Sequence, residues 1–108
     1  MAEPEFSATG VEIGKWLRPL TRAGQVLISD GRLRLLTSRG AEIDSAPVDR
    51  VDAGAAWSAP GTAKATMNGK RYRIDLTAGR SFWRGVSEES GQRAVRRFLD
   101  ALQHARRG

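Results

Sequence analysis

The sequence predicts a mainly β domain, about seven short antiparallel strands followed by one C-terminal α-helix, and three observations carry that prediction. Glycine turns recur at regular intervals between runs that alternate apolar and polar residues. The registers these turns impose agree on a single apolar face. Near Glu88 the apolar period then changes from two to about 3.6, the change expected where strand gives way to helix.

Taken in chain order, residues 1–10 read as a flexible tail and 11–106 as one domain. Val11 to Leu20 carries Val11, Ile13 and Leu17 and ends at Pro19, which marks a strand edge or end. Asp30-Gly31 is a two-residue hairpin turn that requires positive φ, and pairing outward from it sets Ile28 opposite Leu33 and Val26 opposite Leu35. Ser38-Arg39-Gly40 closes the next hairpin, and pairing Thr37 with Ala41 sets Leu35 opposite Ile43. Asp49 to Trp57 forms a weaker strand, with Val51, Ala53 and Ala55 alternating before the turn cluster Ser58-Ala59-Pro60-Gly61. Asn68-Gly69 makes the third hairpin, with Ala65 opposite Tyr72 and Ala63 opposite Ile74. From Glu88 to Arg106, Val95, Phe98, Leu99, Leu102 and Ala105 form one helical stripe, and Arg93, Arg96, Arg97, Asp100 and Gln103 face away from it. Ser87 with Glu88 and Glu89 suits the helix start, as Arg106 and Arg107 suit its end.

Composition narrows the function. The chain has 108 residues, no Cys and one His, which removes disulfides, thiol nucleophiles and Cys-based metal sites together. A Gly10 to Lys15 segment (GVEIGK) has three residues between its glycines and no following Ser or Thr, so it is not a phosphate-binding loop. His104 has no ligand or nucleophile partner at a recognisable spacing, and Asp44, Asp49 and Asp52 lack a metal-ligand motif. A non-enzyme without cofactor or metal is therefore expected. No run of about 18 apolar residues occurs and the N-terminus does not read as a secretory signal, so a cytoplasmic location is expected, free, at the membrane periphery or as the cytosolic part of a larger protein.

The net charge of +6 and pI near 11.0 point to acidic partners. Lys15, Arg18 and Arg22, extended by Arg34, form a candidate anion site, because converging cations hold phosphate oxygens through charge-assisted hydrogen bonds. Against this stands a solvated surface, since charge runs usually face water. Lys64 opposite Arg73 and Thr66 opposite Arg71 make a second basic face, with Asp75 beside it as an internal counter-charge. Phe82 and Trp83, between Arg80 and Arg84, are either a loop anchor for a membrane or protein, or the packing that fastens the helix entry. Leu27 and Leu36 fall on the outer face and need cover, from a bend in the sheet, the helix or self-association.

About seven antiparallel strands and one terminal helix, with LISDGRLRLLTSRGAEIDSAPVDRV from Leu27 to Val51, resemble the pleckstrin-homology (PH) superfold, in particular bacterial PH-like and GRAM-like domains. The helix carries Phe98, where eukaryotic PH domains often have Trp. The resemblance implies a barrel of two bent sheets plugged by the helix, and a peptide-binding groove between an edge strand and that helix. Its candidate walls are the strand from Val48 to Trp57, with Val51 and Trp57, and the helix around Arg93, Arg97 and Asp100. A protein or peptide partner is the first expectation, an anionic membrane surface or phosphorylated ligand the alternative, and nucleic acid the least favoured.

Overall fold

A computed structural model describes residues 6–15, 18–56, 61–76 and 88–107. Among the described residues there are seven strands and one helix: β1 (Phe6–Lys15), β2 (Arg18–Ser29), β3 (Arg32–Leu36), β4 (Glu42–Pro47), β5 (Asp52–Ala55), β6 (Thr62–Met67), β7 (Lys70–Asp75) and α1 (Glu88–Arg107). A 3-10 turn, Val48–Arg50, joins β4 to β5.

The turn chemistry sets most of the pairing. Asp30 and Gly31 have φ of 54° and 73°, and Asn68 and Gly69 have 53° and 74°, the consecutive positive values that a tight hairpin turn demands. Ile28 consequently faces Leu33 and Val26 faces Leu35, while Ala65 faces Tyr72 and Ala63 faces Ile74. The β3–β4 hairpin departs from expectation. Thr37 N–H bonds Ala41 O at 2.8 Å, but the register shifts between Leu35 and Leu36, so Leu35 faces Asp44 instead of Ile43. A one-residue shift exchanges the two faces of a strand, and it brings Asp44 onto the face of Leu35.

The expected Val11 to Leu20 strand is divided. The chain reverses between Lys15 and Arg18, and Gly14 lies opposite Pro19 in the β1–β2 pair. The long β1 is also why the expected barrel of two bent sheets does not form. Residues Phe6 to Lys15 pair with β2, and Glu12 to Lys15 pair with β7 as well, so both halves belong to one hydrogen-bonded sheet. Its order is β4-β3-β2-β1-β7-β6-β5, open at β4 and β5. Gly10, with φ of 68°, sits at one of the register shifts that bend β1.

The sheet curls far enough for its edge to meet its middle. Tyr72 Oη on β7 donates to Asp44 Oδ2 on β4 at 2.7 Å, although β3, β2 and β1 lie between these strands. Asn68 Nδ2 donates to Asp44 Oδ1 at 2.7 Å and to Ser45 O at 2.9 Å. Side chains thus tie the β4 edge to the β6–β7 hairpin, two parts of the sheet that share no backbone ladder.

One face of α1 closes the core. Phe98 is fully buried, and Val95, Leu102 and Ala105 lie beside it among Val26, Ile28, Leu33, Ala63 and Ile74. Its ring meets Phe6 with centroids 5.6 Å apart, tilted by 59°. Of the two leucines expected on the outer face, Leu36 is buried and Leu27 is half-buried.

Candidate functional site

A concavity runs between the β5 edge and α1. It has a volume of about 520 Å³, within the usual range of ligand sites, roughly 300–1,000 Å³. Ala55, Ala56, Gly61 and Thr62 form the sheet side, and Val95, Arg96, Leu99 and Asp100 the helix side, with Gln92 and Gln103 at the two ends. Small residues at 55, 56 and 61 are what leave room there. On α1 the contributing positions are spaced three and four apart, which places them on one flank of the buried stripe.

The ladder geometry decides which β5 backbone groups are free. Ala56 N–H donates to Thr62 O at 3.0 Å, and β5 pairs antiparallel with β6 in the same register, Gly54 opposite Lys64 and Asp52 opposite Thr66. Residues directly opposite alternate between exchanging hydrogen bonds and not doing so. Asp52, Gly54 and Ala56 therefore point their N–H and C=O groups toward β6, and Ala53 and Ala55 point theirs to the open edge. Those groups belong to a strand with no further neighbour in the sheet among the described residues.

Arg106 fixes the helix relative to that strand. Its Nε donates to Val48 O at 2.9 Å and its guanidinium also bonds Val51 O, both just ahead of β5. The C-terminal end of α1 is thereby held at the start of β5, while Val95 and Leu99 lie beside Ala55 and Ala56. Helix and strand run in opposite directions along the groove.

The residues expected to wall this groove are distributed differently. Val51 is buried, and its carbonyl serves the Arg106 clamp. Arg93 and Arg97 are exposed on α1, but of the three expected helix residues it is Asp100 that lines the groove, beside Arg96. Arg97 lines a smaller crevice on the other side, with Phe6 to Gly10, Leu76 and Ala94. Trp57, Phe82 and Trp83 lie outside the described residues.

Within the basic cluster, Lys15 and Arg18 form one rung of the β1–β2 pair, both exposed, and Arg22 is exposed further along β2. None of the three has an ion-pair partner among the described residues. Arg34 is separate from them: its Nε meets Glu42 Oε1 at 3.2 Å. On the second basic face, Lys64 does lie opposite Arg73 and Thr66 opposite Arg71.

Asp44 and Tyr72 are the polar pair that the sequence did not disclose. Burial pushes the Asp44 carboxyl upward, but hydrogen bonds from Tyr72, Asn68 and the Ser45 N–H, with the Lys70 charge, hold it below its ordinary value. Burial first, then the hydrogen bond to Asp44 and its charge, raise the Tyr72 phenol. Among the described residues no group of three or more His, Cys, Asp or Glu side chains is placed to hold a metal, and no helix is long and apolar enough to cross a membrane.

Comparison with solved structures identifies the fold. The solution structure of the pleckstrin homology domain of the mouse Ethanol Decreased 4 Protein matches with a TM-score of 0.60, over 97% of this chain and 89% of that one, at 14% sequence identity. The chain thus has a PH-like fold, in the open form described above. The matched domain is a mouse one, so the bacterial part of the expected resemblance has no support from it. No protein-family description and no curated protein matches the sequence.

Proposed function

We propose that this domain is a non-catalytic interaction module that takes an extended segment of a protein partner as an additional strand on β5, seated against α1. The observation that carries this reading is the open β5 edge, where Ala53 and Ala55 direct unused backbone groups beside a groove of about 520 Å³. An added strand would complete those hydrogen bonds, and Val95 and Leu99 would pack against the apolar parts of its side chains. A PH-like fold agrees with a binding role but does not choose the ligand, since one superfold hosts many.

The test is selection of a random eight-residue peptide display library on the wild-type domain and on Ala55→Pro. Proline is tolerated on an edge strand where its missing N–H faces solvent, so the variant keeps the fold and loses one donor to the partner. Circular dichroism verifies that the fold is kept. Peptides enriched on the wild type and lost on the variant support strand addition. Equal recovery on both proteins sinks it.

A second reading rests on the Lys15–Arg18 rung. Like charges opposite each other are destabilising unless an anion lies between them, which fits a membrane headgroup or a phosphorylated ligand. Co-sedimentation with phosphatidylserine vesicles at low salt, weakened in the K15Q/R18Q variant, is the expected result. Equal sedimentation of the variant, or none by the wild type, removes this reading.

A further inference from the structure

The lip of the β5–α1 groove carries opposite charges in a fixed order, Arg96 followed by Asp100. Both residues are exposed, and no ion pair joins them. Their order agrees with the separation. On a helix the favourable arrangement places the acid toward the N-terminus and the base one turn later, and here the order is the reverse. The two heads are therefore available to a ligand in the groove.

Spacing and direction turn this into a rule for the ligand. Four helical residues advance about 6.0 Å, and two strand residues advance about 6.4–6.8 Å, so Arg96 and Asp100 match side chains at alternate positions of an extended chain. Such positions share one face of the strand. A strand added antiparallel to β5, as every pair in this sheet is, runs in the same direction as α1, because α1 and β5 are themselves opposed. It meets Arg96 before Asp100.

We infer that the segment bound at β5 is charge-ordered: a carboxylate side chain lies beside Arg96, and two residues later an amine or guanidinium lies beside Asp100. The methylene stems of these ligand side chains cover Val95 and Leu99, and their charged heads remain at the wet lip. The domain's net positive charge would favour acidic segments of any pattern. The groove adds a preference that depends on sequence direction, which net charge cannot produce. This inference rests on the strand-addition reading.

Two display libraries of equal composition test it, one fixed as Glu-x-Lys and the other as Lys-x-Glu, with all remaining positions randomised. Each is selected on the wild type, on R96D/D100R, on R96Q/D100N and on A55P. Exposed charge pairs each contribute modestly, so about tenfold enrichment of Glu-x-Lys is expected on the wild type. The order should reverse on R96D/D100R and have no effect on R96Q/D100N. The reversed pair restores the favourable helical order, so that variant is not expected to lose helix stability. Equal enrichment of both libraries on the wild type, with binding still lost on A55P, overturns the charge rule and leaves strand addition standing. Recovery on A55P equal to wild type overturns both.

Discussion

Removing the Tyr72 hydroxyl isolates the bridge between β4 and the β6–β7 hairpin. In Tyr72→Phe the ring remains in the core, and Asp44 loses one short charge-assisted bond of 2.7 Å. The carboxylate is not orphaned, since Asn68 Nδ2 at 2.7 Å and Ser45 N–H at 2.8 Å remain. The cost therefore falls at the lower end of the range for hydrogen bonds to charged groups, about 1.5–2 kcal/mol. For a domain of this size that lowers Tm by roughly 8 °C. The pH dependence is a sharper test. Asp44 is held below its ordinary value of 3.8, so its contribution is complete above that value and is lost as pH falls through the lower folded value. Tyr72→Phe removes one cause of the lowering, so the wild type loses more stability on acidification and the gap between the proteins narrows. Urea denaturation followed by far-UV circular dichroism at about pH 6, 4 and 2.5 measures that gap. A difference below about 0.5 kcal/mol at pH 6, or one that is constant down to pH 2.5, refutes the assignment.

Three further outcomes follow from the same contacts. Tyr72 is the single tyrosine, and its raised pKa means that its stabilising contribution is present below the ordinary 10.0 and is lost as pH rises beyond it. Tyrosinate absorbance should therefore appear only together with alkaline unfolding, and a reversible titration near 10 with unchanged circular dichroism contradicts the burial described. Gly24→Ala would place a Cβ 2.6 Å from Leu36 O and 2.6 Å from Thr21 Cγ2, and should cost about 1–3 kcal/mol in urea denaturation, since a backbone atom must yield. Arg106→Ala removes the bonds to Val48 O and Val51 O and should cost about 1.5–3 kcal/mol; a loss under about 0.5 kcal/mol shows that the clamp does not hold α1.

What was legible in the sequence was chiefly what local chemistry decides. Asp30-Gly31 and Asn68-Gly69 admit few turn geometries, and two hairpin registers follow from them without knowledge of the rest. The helical stripe through Val95, Phe98 and Leu102 is likewise a local periodicity. The β3–β4 register was not legible, because the shift at Leu36 leaves no residue signature in a loop that already closes well at Thr37 and Ala41. Asp44 therefore looked like one surface acid among three, and its contact with Tyr72 depends on the whole sheet curling. The groove was legible as a pair of elements but not in its lining. A stripe shows which side of a helix faces inward, whereas the choice between the Arg96 flank and the Arg93–Arg97 flank depends on helix placement. Arg106 fixes that placement through carbonyls far away in sequence. Open ends of the sheet were also beyond local reading, since they depend on β1 pairing on both sides.

The double role of β1 bears on how the chain comes together. Strands β1 to β4 form successive hairpins, as do β5 to β7, so each block can assemble from contacts near in sequence. The one ladder between the blocks is the short pairing of Glu12–Lys15 with Tyr72–Asp75, which must close the longest loop in the sheet. Closing that loop costs chain entropy before its few hydrogen bonds compensate, so this rung is expected to form after the two blocks. The same layout leaves the 3-10 turn Val48–Arg50, whose Val48 carbonyl is held by Arg106, as the covalent join between the two blocks.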